Sequence, residues 1–362
     1  MLEDIKFNGA FRLGTNLSDN EYLFGFKNFR RRFDWGVSYY RVANSGSAQI
    51  IGNNFQFVSD VKQFTNLYQF NGSYPLNEIK SIRLTAAYRR DRTVIRPFTS
   101  AGVPDPLPLF LPDILQTFVQ SRLEYVHDNT INPSQNIWHG LRYKVYMDAN
   151  LPLNDAENSG KFTFNFGFDA RHYYPIYRNF IWAVRTAGDF SWGAQKLIYY
   201  AGGVDGWLSP KFNNQNRPDP DQNYAFQSLA VNLRGFNQNV ANGNNAFVIN
   251  SEFRLPVFST LFNKPINNAF IRNFQIVQFA DLGTAWNGKY DKIERPNSVY
   301  TGDDPAITFR TKAGGIGPIA GGYGFGVRST LLGYFMKLDA AWEMNGIFKG
   351  KPIWYFALGL DF

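Results

Sequence analysis

Over long stretches of this chain, large apolar side chains fall on every second residue. Near the C-terminus Trp354, Phe356, Leu358, Leu360 and Phe362 share one parity, while Tyr355, Ala357, Gly359 and Asp361 share the other. The preceding stretch repeats the pattern: Tyr334, Met336, Leu338, Ala340, Trp342 and Met344 alternate with Lys337, Asp339 and Glu343. Phe162, Phe164, Phe166 and Phe168 alternate with Thr163, Asn165, Gly167 and Asp169, and Leu141, Tyr143, Val145 and Met147 with Arg142, Lys144 and Asp148. Ile82, Leu84, Ala86 and Tyr88 likewise oppose Arg83, Thr85 and Arg89. A period of two places successive side chains on opposite faces of an extended strand, so each segment has one greasy and one wet face.

Which face is the inside decides the fold. A soluble sandwich buries its apolar face. Here the runs often reach ten residues or more, against about five or six in ordinary sheets. Their polar faces also carry many ionisable groups, as a water-filled lumen does. Aromatic residues make up 17% of the 362 residues, yet mean hydropathy is −0.31. No stretch approaches the roughly 20 apolar residues of a spanning helix. Strands in hydrocarbon must close on themselves, because a free edge leaves peptide groups unpaired. The expectation is an all-β, closed antiparallel transmembrane β-barrel spanning residues 1–362.

About fourteen strands are expected, starting near residues 5, 20, 33, 58, 79, 116, 137, 161, 177, 245, 270, 318, 333 and 352. Connections alternate between short and long, as periplasmic turns and extracellular loops do. Extended ones are expected at 44–54, 97–114, 153–160, 193–244 and 287–317, with a longer break at 257–268. The chain has no cysteine, which suits an oxidising envelope but decides little. Its start carries no basic region followed by an apolar core, so no signal peptide is read there. The net charge of +8 does not point to nucleic acid, because the aromatics alternate along strands instead of clustering with basic residues.

The segment 193–244 is too long for an idle connection. It contains Leu233-Arg234-Gly235-Phe236, and the next two strands carry Asn250-Ser251-Glu252-Phe253-Arg254-Leu255-Pro256 and Phe279-Ala280-Asp281-Leu282-Gly283. Phe247, Ile249, Phe253 and Leu255 take the lipid parity, which turns Glu252 inward. Asp281 lies opposite Ala280 and Leu282 and also points inward. Two inward carboxylates need a cation, and Arg234 on a loop folding back can supply a planar fork suited to carboxylates. Gly235 permits a tight turn at the tip, and Gly283 is expected to leave room for the loop backbone.

This constellation resembles the BamA-type family, the bacterial surface antigen superfamily of outer-membrane assembly factors and translocators. The likeness rests on Leu233–Phe236 as the tip of the sixth extracellular loop, Phe279–Gly283 as the wall motif and Glu252 between them. Tyr200-Ala201-Gly202-Gly203 matches the start of that loop, and Gly322-Tyr323-Gly324-Phe325-Gly326-Val327-Arg328 with the terminal Phe362 matches the closing strands. The resemblance is specific from about Asp128 onward and architectural before it. It implies sixteen strands, with the first strand here corresponding to the family's third, and a lateral gate at the seam of first and last strands. It also implies a lumen loop and a role in inserting or translocating polypeptides without enzymatic chemistry. No receiving domains of the POTRA type precede the barrel, so the chain reads as the C-terminal part of a longer envelope protein. The implied setting is the outer membrane of a Gram-negative bacterium, with lipids, client outer-membrane polypeptides and accessory envelope proteins as partners.

Blander readings stand beside these. Arg234 with Glu252 and Asp281 is either a structural lock or a moving part. Gly322, Gly324 and Gly326 share one face and read as lumen wall beneath the loop. The run lacks the Lys-Ser/Thr of a phosphate loop. His127 is expected opposite His139, both in an interfacial belt, with no metal, cofactor or catalytic residue implied. Arg30-Arg31-Arg32 reads as a solvated turn or a contact for anionic head groups. The competing function is a passive porin-like or plugged channel for small solutes.

Overall fold

The computed structural model describes residues 4–14, 19–52, 55–95, 112–131, 139–153, 161–262, 265–289, 297–301 and 308–359. In chain order the strands are β1 (Ile5–Leu13), β2 (Asn20–Asn28), β3 (Asp34–Gly52), β4 (Phe55–Asn77), β5 (Lys80–Ile95), β6 (Ile114–Asp128), β7 (Gly140–Pro152), β8 (Thr163–Tyr177) and β9 (Phe180–Gly193). After these come β10 (Lys196–Ala201), β11 (Tyr224–Val231), β12 (Ala241–Gly243) and β13 (Asn245–Pro256). Two short helices, α1 (Val257–Leu261) and α2 (Ala269–Arg272), precede β14 (Gln275–Trp286), β15 (Asn297–Thr301) and β16 (Thr308–Lys312). The chain continues through β17 (Gly315–Ile316), β18 (Ile319–Leu331), β19 (Tyr334–Glu343) and β20 (Ile353–Leu358).

One antiparallel sheet of fifteen strands follows the order β1 to β9, then β13, β14, β18, β19 and β20, with β17 on β18. Such a sheet is consistent with a β-barrel. The expected starts near residues 5, 20, 33, 245, 318, 333 and 352 fall within one residue of β1, β2, β3, β13, β18, β19 and β20. The start expected at 270 falls instead in α2, and β14 begins at Gln275. Most of the loop 97–114, most of 153–160, and Leu360 and Phe362 of the C-terminal pattern lie outside the described residues.

One expected loop is strand. Residues 44–52 of it continue β3, and Ala43↔Phe64 through Gly52↔Phe55 extend its ladder with β4. Ser, Gly and Asn in this stretch break the apolar alternation, but backbone pairing needs no greasy face once a strand stands in water.

The chain divides into two compact units, residues 1–125 with 148–162, and residues 126–147 with 163–362. In the first unit the apolar parity is exposed: Phe7, Phe24, Val37, Tyr68, Ile82, Leu84 and Tyr88 all face out. The other parity carries ion pairs such as Arg89–Asp91 at 2.9 Å and Arg122–Asp148, whose second bond is 2.9 Å. Arg32 donates to the Pro75 and Leu76 carbonyls at 3.1 and 2.9 Å, so it braces one turn against another.

The second unit repeats the inversion more strongly. Phe166, Trp182, Phe253, Ile276, Phe325, Leu338, Trp354 and Phe356 are exposed, while Arg185, Glu252, Arg254, Gln275, Asp281, Arg328, Lys337 and Asp339 are buried. Among the described residues, rows of Phe, Leu and Trp do not meet in a dry centre. Buried charges are rare unless paired, and here they are paired.

Candidate functional site

The connection from β9 to β13 begins and ends where expected, at residues 194–244. It has its own sheet, β11-β10-β12, and folds back over the charged face of the second unit. Tyr199, Ala201, Leu233, Phe236, Val240 and Ala241 from the loop pack on Ala187, Ala246, Val248, Ala285 and Ala320 from the strands. Small wall residues at the inward parity leave space for the loop's larger ones.

Arg234 sits at the tip of this return. Its Nε donates to Asp281 Oδ2 at 2.7 Å and its Nη2 to Asp281 Oδ1 at 2.8 Å, a two-pronged pairing. The Arg234 amide donates to Asp281 Oδ2 at 3.1 Å, which fixes the backbone as well as the side chain. Nη1 reaches Glu252 Oε1 at 2.7 Å and Asp339 Oδ2 at 3.3 Å. The guanidinium carbon lies 3.6 Å from the centre of the Phe279 ring, within cation–π range. Arg234, Asp281 and Glu252 are 4%, 0% and 1% exposed, so these contacts are dry. Burial pulls the Arg234 pKa down, but the charges of Asp281 and Glu252 outweigh it and hold the pKa well above its ordinary value. The loop is therefore fastened by a group that stays cationic.

Glu252 is the hub of a larger network. Besides Arg234 it accepts from Arg254 Nε at 2.7 Å and from Arg328 Nη1 and Nη2 at 3.0 and 2.7 Å. The cavity that Arg234, Glu252, Arg328, Lys337 and Asp339 help to line is about 20 Å³. That is room for about one water, so the residues of the clamp are closely packed. Among the described residues no three His, Cys, Asp or Glu are grouped to hold a metal.

The glycines divide the work differently from expectation. Gly235 has φ +98°, a left-handed conformation that favours glycine, and a Cβ there would press on the Trp342 carbonyl. A Cβ on Gly322 would overlap the Arg234 carbonyl, so Gly322 is the position that admits the loop backbone. Gly283, assigned that part from sequence, instead abuts the Phe247 carbonyl and Val248 within the sheet. Gly324 is kept small by the Ala340 carbonyl and the Phe279 ring, and Gly326 by the Asp339 carboxylate. Only Gly322 of the three lies beneath the loop tip.

Tyr355 completes the tip. Its hydroxyl accepts from the Gly235 amide at 2.9 Å and donates to the Phe236 carbonyl at 2.7 Å. The sequence reading reached Arg234, Glu252 and Asp281 but not Arg254, Arg328, Asp339 or Tyr355. Parity was the available signal: Arg254 shares Glu252's face, Arg328 shares that of the glycines, and Asp339 was already inward.

The backbone is similar to a BamA barrel. A crystal structure of BamA from Haemophilus ducreyi lacking POTRA domains 1–3 matches with a TM-score of 0.50 and 12% identity, covering 97% of this chain and 74% of that one. The outer membrane protein OprD from Pseudomonas aeruginosa gives a TM-score of 0.27 at 10% identity, covering 98% and 89%. At such identities the BamA likeness concerns fold alone. No family model matches the chain, and no curated protein matches it.

Ile131 bridges His139, which moves His127 off the expected pairing, and His127 stacks on Tyr143 with ring centres 4.9 Å apart. Asn165 also differs from expectation: it is buried and accepts from the Tyr199 hydroxyl at 2.7 Å, so it faces the loop and not free water.

Proposed function

We propose that this chain is the barrel domain of a BamA-type outer-membrane protein that inserts or translocates polypeptides. The observation that carries the reading is the clamp. An Arg-Gly-Phe tip on a 51-residue return loop, residues 194–244, is held by Asp281 and Glu252 from two successive wall strands. The similarity to BamA supports the same reading at the level of fold. On this reading the exposed Phe, Trp and Leu rows meet lipid, the sheet curls around a lumen, and the loop plugs or braces it. Clients and accessory envelope proteins are then the partners, and a client strand adds by backbone hydrogen bonding to an exposed strand edge.

Partly exposed ion pairs in the first unit, such as Arg122–Asp148 with side chains 42% and 25% exposed, also suit a water-filled conduit. That observation keeps the porin-like channel as the second reading. The deciding experiment reconstitutes the protein in phosphatidylcholine vesicles and presents a urea-unfolded outer-membrane barrel polypeptide. Accelerated folding of that polypeptide over empty vesicles is expected. Ion conductance without any acceleration would replace the assembly reading with the channel.

A further inference from the structure

The loop has a second attachment, distant in sequence from Arg234. On one side β20 pairs with β19, from Met336↔Leu358 to Ala341↔Ile353. On its other side, away from β19, the Leu208 amide donates to the Phe356 carbonyl at 2.9 Å and the Leu358 amide donates to the Gly206 carbonyl at 3.1 Å. These two bonds frame an antiparallel bridge between Trp207 and Ala357. Two of the backbone groups of β20 that an adjoining strand would use, the Phe356 carbonyl and the Leu358 amide, are thus met by the loop.

The contact is built, not incidental. Gly206 has φ +72°, and a Cβ there would overlap the Leu358 carbonyl, so only glycine lets the loop come this near. Trp207 packs its ring on Tyr355 with centres 4.7 Å apart. Val204 and Trp207 lie on the cluster of Val277, Phe279, Ala341 and Tyr355. Tyr355 is also the residue whose hydroxyl holds the Gly235–Phe236 tip. Both ends of the loop's grip therefore converge on β20.

We infer that residues 206–208 act as a strand surrogate that occupies the outer edge of β20 and bars any other extended chain from pairing there until they leave. An unpaired strand edge is a template for promiscuous pairing, and the surrogate covers it with the protein's own backbone. The edge is then conditional: closed while the loop is seated, open to an extended polypeptide when it lifts. The gating of a client rests on the proposed assembly reading; the occupancy of the edge does not.

The absence of cysteine makes a direct test clean. In an antiparallel ladder the pair lying between the two framing bonds has the closer side chains, so the Trp207→Cys/Ala357→Cys double variant of the full chain in phosphatidylcholine vesicles should crosslink under copper phenanthroline. A reference pair, Ala340→Cys/Trp354→Cys across β19 and β20, calibrates the yield. Crosslinking of the reference without the test pair overturns the inference. Independently, Gly206→Ala should speed amide exchange at Leu358 at least tenfold without changing it at Arg234; unchanged exchange at Leu358 also overturns it. The oxidised Trp207→Cys/Ala357→Cys protein should lose client folding and regain it on reduction. Equal folding in both states refutes the gate. If the unmodified protein accelerates no client, the assembly reading fails alone, and crosslinking and exchange still decide whether the edge is occupied.

Discussion

Arg234 binds its carboxylates in a dry setting, and removing one partner of such a group leaves the rest uncompensated. Arg234→Ala should cost about 3–5 kcal/mol and lower the temperature at which the folded band is lost on semi-native gels. An unchanged transition would argue against the clamp. Gly322→Ala tests the same seat without altering charge. The overlap with the Arg234 carbonyl should cost about 1–3 kcal/mol, whereas Gly283→Ala should leave the loop seated. Tyr355→Phe strands the Gly235 amide and the Phe236 carbonyl, and about 1–3 kcal/mol should be lost, read by faster proteolysis within the loop. The residues that parity could assign were legible in sequence: Glu252 and Asp281 point inward because Phe253 and Leu282 point out. What parity could not supply was reach. Nothing in the letters says that the Tyr355 hydroxyl meets Gly235, or that Gly322 and not Gly283 lies under the tip. Those contacts depend on how the loop's own three-stranded sheet sets its height above the wall.

At the scale of the element, β8 gives the sharpest contrast. Phe164 lies on the outward parity, and Phe164→Arg should cost about 2–4 kcal/mol if that position is near the middle of a bilayer. Asn165→Arg, on the opposite parity but bonded to Tyr199, should displace Tyr199 and unseat β10. Circular dichroism melts in detergent micelles compare the two directly, and a neutral outcome at Phe164 would remove the lipid assignment from this strand. Most element starts were readable because greasy and polar residues switch cleanly at them. The β3–β4 extension was not, since a run of Ser, Gly and Asn looks the same whether it pairs or loops. The Gly- and Ala-rich inward face of β18, read in sequence as wall beneath the loop, was the clue that this wall is covered, just as Arg and Asp on the first unit's strands mark a wetter face.

For the whole molecule, the arrangement of exposed aromatics and buried charges makes folding depend on the surrounding medium. Dilution from urea into buffer should leave the chain unfolded or aggregated, whereas dilution into detergent or vesicles should recover sheet structure by circular dichroism. Folding to the same state in plain buffer would contradict the outward apolar face. In vesicles Arg234→Ala should raise the conductance above that of the intact protein as the loop loosens.

The β3–β4 ladder runs for 19 pairs, but β5 accompanies it only as far as Val61↔Ile95. At about 3.4 Å per residue, the ladder is roughly 65 Å long, and even tilted by ~45° it outreaches a hydrocarbon layer of ~30 Å. Among the described residues its far end is a ribbon of two strands. A short affinity tag grafted at its tip would disturb neither lipid contacts nor the clamp, and antibody binding to intact cells would then report which compartment that end of the protein inhabits.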